Sequence, residues 1–92
     1  MYAILRQTRF KKDVELSRKR GKNLQKLKDI LNILISGKEL DIKYKDHILL
    51  GNYENTRECH IEPDWLLIYR IDKDENILYL IRTGTHSDLF KK

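Results

Sequence analysis

The stretch Arg57-Glu58-Cys59-His60-Ile61-Glu62-Pro63-Asp64-Trp65-Leu66-Leu67-Ile68-Tyr69-Arg70-Ile71 decides the fold. Its first part alternates, so that Cys59 and Ile61 share one face of a strand and Glu58 and His60 the other. Pro63 then fixes its own backbone angle and favours a tight turn through Asp64. From Trp65 to Ile71 the chain is almost wholly apolar, as a central strand covered on both faces must be. Two antiparallel strands joined by a short turn therefore form the middle of a sheet.

Working outward, Asp72 to Asn76 reads as a polar turn and Ile77 to Arg82 as the next strand. Thr83-Gly84-Thr85 breaks that strand, and His86 to Phe90 can form a last helical turn. Upstream, Leu24, Leu27, Leu31 and Leu34 recur at steps of three and four, with Ile30 widening the stripe. Asn23 can cap this helix and Gly37 can end it. A weaker helix runs from an N-cap at Thr8 to about Arg20, with Phe10 and Val14 inward and Gly21 as its stop. Tyr2 to Arg6 supplies a first strand. The Gly21-Lys22 link makes the helices an antiparallel pair packed on an antiparallel meander, a small α+β domain.

The whole chain, residues 1–92, is one domain, too short for two independent cores. Its charge is uneven: residues 1–46 hold 13 Lys and Arg against 6 Asp and Glu, whereas residues 47–92 hold 6 against 8. Arg18, Lys19, Arg20, Lys22, Lys26 and Lys28 crowd the link between the helices. They are either a solvated helical surface or a grip on an RNA backbone, and both can hold together. No apolar run suits a secretion signal or a membrane span, and the single Cys59 excludes an internal disulfide. Both features point to the cytoplasm. Cys59, inside a strand, reads as a small buried apolar residue and not as a nucleophile.

All three histidines lie in the C-terminal half. Connectivity brings the end of Ile77–Arg82 back to the start of Trp65–Ile71, the rim that carries the Pro63-Asp64 turn. His60, Asp64, Trp65, Arg82 and His86 can therefore share one edge, with His47 within reach from the loop before the meander. Imidazoles exchange protons near neutral pH, and a guanidinium can hold a phosphate through two parallel bonds. That set suits RNA cleavage through the 2′-hydroxyl, with Trp65 or Phe90 stacking on a base. Each residue also has a plain structural reading. Trp65 can be core, Phe90 a tether, Asp64 a turn residue, and Arg82 a partner for Glu58 or Glu62. Zinc is disfavoured, because no Cys-x-x-Cys or His-x-x-x-His spacing occurs and Cys59 and His60 point to opposite faces. No metal and no cofactor are expected.

Three runs carry a resemblance: Lys45-Asp46-His47 with Leu50-Gly51, Arg57 to Tyr69 with its His-x-x-Pro-Asp-Trp, and Arg82-Thr83-Gly84-Thr85-His86-Ser87-Asp88-Leu89-Phe90. Together, over nearly the whole chain, they resemble the YafQ branch of the RelE/ParE toxin superfamily. The resemblance implies a RelE-like fold and a type II toxin that cuts mRNA in the ribosomal A site. It also implies a cognate antitoxin, in a complex able to bind operator DNA. By the same resemblance His47, His60, Asp64, Arg82 and His86 are catalytic, and Trp65 and Phe90 face the RNA. It implies His86 as general acid, with His60 or Asp64 on the base side and His47 positioning or sharing proton transfer. The alternatives are a non-catalytic toxin of the gyrase-poisoning ParE type and a plain RNA-binding module.

Overall fold

The computed structural model describes residues 1–51 and 55–90. Five strands form one sheet: β1 (Ala3–Arg6), β2 (His47–Ile48), β3 (Arg57–Glu62), β4 (Trp65–Asp72) and β5 (Ile77–Gly84), in spatial order β1-β5-β4-β3-β2. Helices α1 (Thr8–Lys19) and α2 (Leu24–Ile35) follow β1, and the short α3 (His86–Phe90) closes the chain. The fold is α+β, as expected. The first strand does not pack on the sheet; it is the edge of it, running parallel to β5, while every other pairing is antiparallel. His47 lies in the short edge strand β2, and not in a loop.

β4 is apolar throughout because it separates two cores. Trp65, Leu67 and Tyr69 face the main core with Phe10 of α1 and Leu27, Ile30 and Leu34 of α2. Leu66 and Ile68 face the other way, into a smaller cluster with Leu89 and the half-buried Phe90 of α3. Cys59 and Ile61 join the main core, so the alternation of β3 holds. It follows that Glu58 and His60 stand on the face covered by α3.

Helix ends explain themselves locally. The Asn23 side chain accepts from Gln25 N–H at 3.0 Å and caps α2. Gly21, at φ +81°, closes α1 with Gly21 N–H on Arg18 O and Lys22 N–H on Ser17 O. That paired pattern needs a residue free to adopt a left-handed conformation. The cap of α1 differs from the expectation at Thr8. Gln7 is the N-cap, with no side-chain cap bond. Its own N–H is held by Leu80 O, so the sheet ends at that residue and the helix starts on the next.

Candidate active site

Cross-strand register builds the site. His47 pairs with Glu58, Glu58 with Ile68, and Ile68 with Arg82, giving one row across β2-β3-β4-β5. In the neighbouring row His60 and Gly84 flank Leu66. Paired residues point to the same face, so His47, Glu58 and His60 converge above Leu66 and Ile68. Two irregularities border this patch, one at Ile61 between His60 and Glu62, the other at Ile81 between Leu80 and Arg82. Bulges of this kind re-aim side chains next to a site.

His60 lies beside each of the other two imidazoles. Ring centroids of His47 and His60 are 6.4 Å apart, and those of His60 and His86 are 5.8 Å apart. The three expected histidines are therefore brought together on one face of the sheet. Asp64 joins them from the β3–β4 turn. Its Oδ1 accepts from the backbone N–H of His86 at 2.9 Å and lies 2.6 Å from His86 Nδ1. The backbone bond, then the side-chain bond, hold the Asp64 carboxyl below its usual range. An ionised Asp64 can only accept, so Nδ1 carries the proton and Nε2 is the nitrogen left to face a substrate. Asp64 thus stands behind His86, its carboxylate on the backbone and the ring of that residue.

Glu58 is the participant that the sequence reading missed. It is buried, with Oε1 3.1 Å from His47 Nε2 and 3.6 Å from His60 Nε2, while Oε2 has no partner among the described residues. His47 Nδ1 lies 3.2 Å from Ile48 O, which can only accept. A proton must then sit between His47 Nε2 and Glu58 Oε1 as well, either on the imidazole or on the carboxyl. Only its place beside His60 on the polar face of an alternating strand hinted at this role, since the partner His47 comes from another strand. His47, Glu58 and His60 also offer ligand atoms all within 4.8 Å of one another. This set, drawn from two strands, is invisible to any search for short spacings.

Two expected residues, Trp65 and Arg82, are engaged within the fold. Trp65 is 1% exposed in the main core and cannot stack on a base. As first residue of a strand lying between two cores, it takes the face under α1 and α2, and Lys22 Nζ rests 5.8 Å from its ring centre. Arg82 is also buried, and its fork is engaged by Asp13 of α1, Nε to Oδ2 at 2.6 Å and Nη2 to Oδ1 at 3.1 Å. β1 ends opposite Leu80, and the Asp13 carboxylate takes over beyond it, accepting also from Thr83 N–H at 3.1 Å. The expected partners of Arg82 are themselves engaged, Glu58 by the histidines and Glu62 by Lys22 and Lys26. Phe90 packs on the smaller core yet keeps part of its ring accessible.

Much of the basic cluster at the helix link is neutralised within the molecule. Arg18 pairs with Glu15, Arg20 with Asp88, and Lys22 and Lys26 with Glu62. Cys59 is fully buried, and burial, with Asp46 and Glu58 adding to it, pushes its thiol far above the range of a nucleophile. Among the described residues no helix is long and apolar enough to cross a membrane.

Comparison with known proteins gives the family and the fold. The model of a family described as the YafQ bacterial toxin of type II toxin–antitoxin systems matches residues 2–91. The mRNA interferase toxin YafQ of Escherichia coli K12 is 44% identical over 82 residues, which span 88% of this chain and 87% of that protein. The crystal structure of the E. coli DinJ–YafQ complex holds a chain that superposes with a TM-score of 0.90 at 41% identity, over 98% of this chain and 99% of that one. A metal-bound toxin from Helicobacter pylori superposes with a TM-score of 0.92 at 43% identity, over 98% of this chain and 100% of that one. With a family match across almost its whole length and a fold shared with solved members, the chain belongs to the YafQ family of bacterial type II toxins.

Proposed function

We propose that this chain is an mRNA interferase that cuts message on the ribosome by attack of the 2′-hydroxyl on the adjacent phosphate. The observation that carries this is the His60–His86 pair, 5.8 Å between ring centres, with Asp64 fixed on the far nitrogen of His86. A phosphate seated between the rings has an acceptor on one side and a donor on the other. His60 takes the 2′ proton, the 2′ oxygen bonds to phosphorus, and His86 Nε2 protonates the departing 5′ oxygen. The products are a 2′,3′-cyclic phosphate and a 5′-hydroxyl. Each acid or base contributes on the order of 10²–10⁴ in rate. Asp64 holds Nδ1 of His86 and so turns Nε2 towards the leaving oxygen. Glu58 and His47 hold His60 from behind and give its proton somewhere to go. Arg82, with its fork engaged by Asp13, adds positive charge and support beside the row and does not grip a phosphate bidentately. Phe90 offers the accessible aromatic edge for a base.

The identity to the E. coli interferase supports the activity, and the family supports an antitoxin as partner. The E. coli relative is found in complex with DinJ, and a comparable antitoxin is expected to bind here. Single-turnover cleavage of message on programmed ribosomes tests the nuclease reading. His86→Ala should lose at least about a hundredfold while keeping its fold. Growth arrest by the wild-type chain with message left intact would refute it in favour of a binding toxin.

A second reading concerns metal. The H. pylori relative is a metal-bound toxin, and the donors here fit a borderline ion: two imidazoles and a carboxylate whose Oε2 is buried without a partner. An ion held there would occupy the lone pairs that proton transfer uses, so it would inhibit and not assist. Zinc titration should quench cleavage and raise the melting temperature, and His47→Ala should abolish that thermal shift. A zinc-stimulated rate would overturn this reading.

A further inference from the structure

We propose that Arg20 and Asp88 are positioning residues for cleavage: a clamp from the end of α1 onto α3 fixes the helix that carries His86 and thereby aligns its imidazole. This rests on His86 being the acid.

α3 has five residues, far too few to hold itself together in water. Leu89 is buried and the half-buried Phe90 packs beside it, so packing ties the helix at its C-terminal end only. Three polar links do the rest. Thr85 and Asp88 form a reciprocal cap, Asp88 N–H on Thr85 Oγ1 at 3.1 Å and Thr85 N–H on Asp88 Oδ2 at 2.9 Å. Arg20 reaches the same carboxylate, Nη1 to Oδ2 at 2.6 Å and Nη2 to Oδ1 at 3.2 Å, across 68 residues of sequence. His86 itself is pinned to Asp64 through both its backbone and its ring. Gly84 belongs to this assembly: a methyl group there would meet the Asp88 carboxylate at 2.9 Å. The glycine makes room for the clamp.

The consequence is a division of labour among carboxylates. Asp64 sets the tautomer of His86, and Asp88 sets where the helix bearing His86 sits. Arg20 lies at the C-cap of α1, whose preceding turn is closed by the Gly21 motif, so the guanidinium is presented from a rigid end. An ion pair this exposed adds little to global stability. Its value is geometric, and displacement of a reacting group by about 1 Å can cost a hundredfold in rate. The clamp also links the helical hairpin to the acid, so anything that moves the end of α1 moves His86.

The test is a set of single-turnover measurements on ribosomes with wild type, Arg20→Ala, Asp88→Ala, the swap Arg20→Asp/Asp88→Arg, His86→Ala and His86→Ala/Asp88→Ala. Expected are a loss of roughly tenfold in the maximal rate for Arg20→Ala and more for Asp88→Ala, with KM little changed and both variants still folded at the assay temperature. The swap should recover part of the rate. In the His86→Ala background, removing Asp88 should cost nothing further, since it acts through the missing group. Full activity of both clamp variants beside an inactive His86→Ala overturns the clamp and leaves the acid assignment intact. Equal proportional losses with and without His86 overturn it too. An active His86→Ala sinks the acid assignment itself.

Discussion

Replacing Glu58 by Gln should make the protein more stable and less active at once. Glu58 is 4% exposed, has one oxygen on His47 and His60, and leaves Oε2 with nothing. A buried acceptor without a partner costs about 1–3 kcal/mol, and more when the group is charged. Gln keeps the shape and the oxygen that faces His47; its amide nitrogen takes the place of Oε2, so the relief is that of exchanging a buried charge for a buried neutral group. The lost charge-assisted bond to His47 is worth about 1 kcal/mol, because that imidazole is half exposed. A net gain of about 1 kcal/mol is expected, or a melting temperature about 4–8 °C higher for a domain of this size. Cleavage should meanwhile fall by about a hundredfold, the low end for an acid–base participant, since Glu58 acts through the imidazoles. Thermal melts at neutral pH and single-turnover cleavage on ribosomes give the two readings. A variant destabilised by more than about 2 kcal/mol would show that Glu58 is a structural ion-pair member. Unchanged cleavage would remove it from the proton path.

Other substitutions sort the remaining residues. Trp65→Phe should preserve cleavage, because the indole fills the core and its buried Nε1 has no partner to lose; Trp65→Ala should cost about 3–5 kcal/mol. A cleavage defect in a well-folded Trp65→Phe would restore the stacking role. Arg82→Lys should lower stability by about 1–3 kcal/mol, since a point charge cannot span both Asp13 oxygens. If its melting temperature stays at the wild-type value, the Asp13 pair is not what Arg82 is for. Acid should weaken the fold through Asp88, whose carboxyl is held at about 2 by Arg20 first, with the Thr85 bonds adding to it. A depressed folded value means the stabilisation is present above the unfolded value near 4 and disappears as pH falls from 4 to 2. Asp88→Asn should flatten the melting curve over that window, and an equally steep decline would locate the acid sensitivity elsewhere.

Several elements could be read before any coordinates. The leucine stripe of α2, its Asn23 cap and its Gly37 exit are local patterns, and the helix runs where they put it. The apolar run of β4 announced a strand buried on both faces, and two cores flank it. His60, Asp64 and His86 were brought together by connectivity, since strand order forces the Pro63-Asp64 turn and the exit of β5 onto one rim. Trp65 went wrong because either face of a strand opening on an apolar run can bury an aromatic ring, and only the packed helices choose. The carboxylate that Arg82 binds could not be read, because a guanidinium finds whichever one the fold delivers, here one 69 residues away.

What the chain determined alone is therefore what depends on period and neighbours: the two long helices, the three central strands, and the rim where His60, Asp64 and His86 meet. What required the tertiary structure is every pairing between charged groups distant in sequence: Glu58 with His47, Arg82 with Asp13, Arg20 with Asp88. Hydrophobic periodicity is a local signal, because burial recurs with the backbone's own repeat. A salt bridge has no such repeat. Its members are chosen by where the packed elements bring them, and the arrangement of charge around the histidines follows from that packing alone.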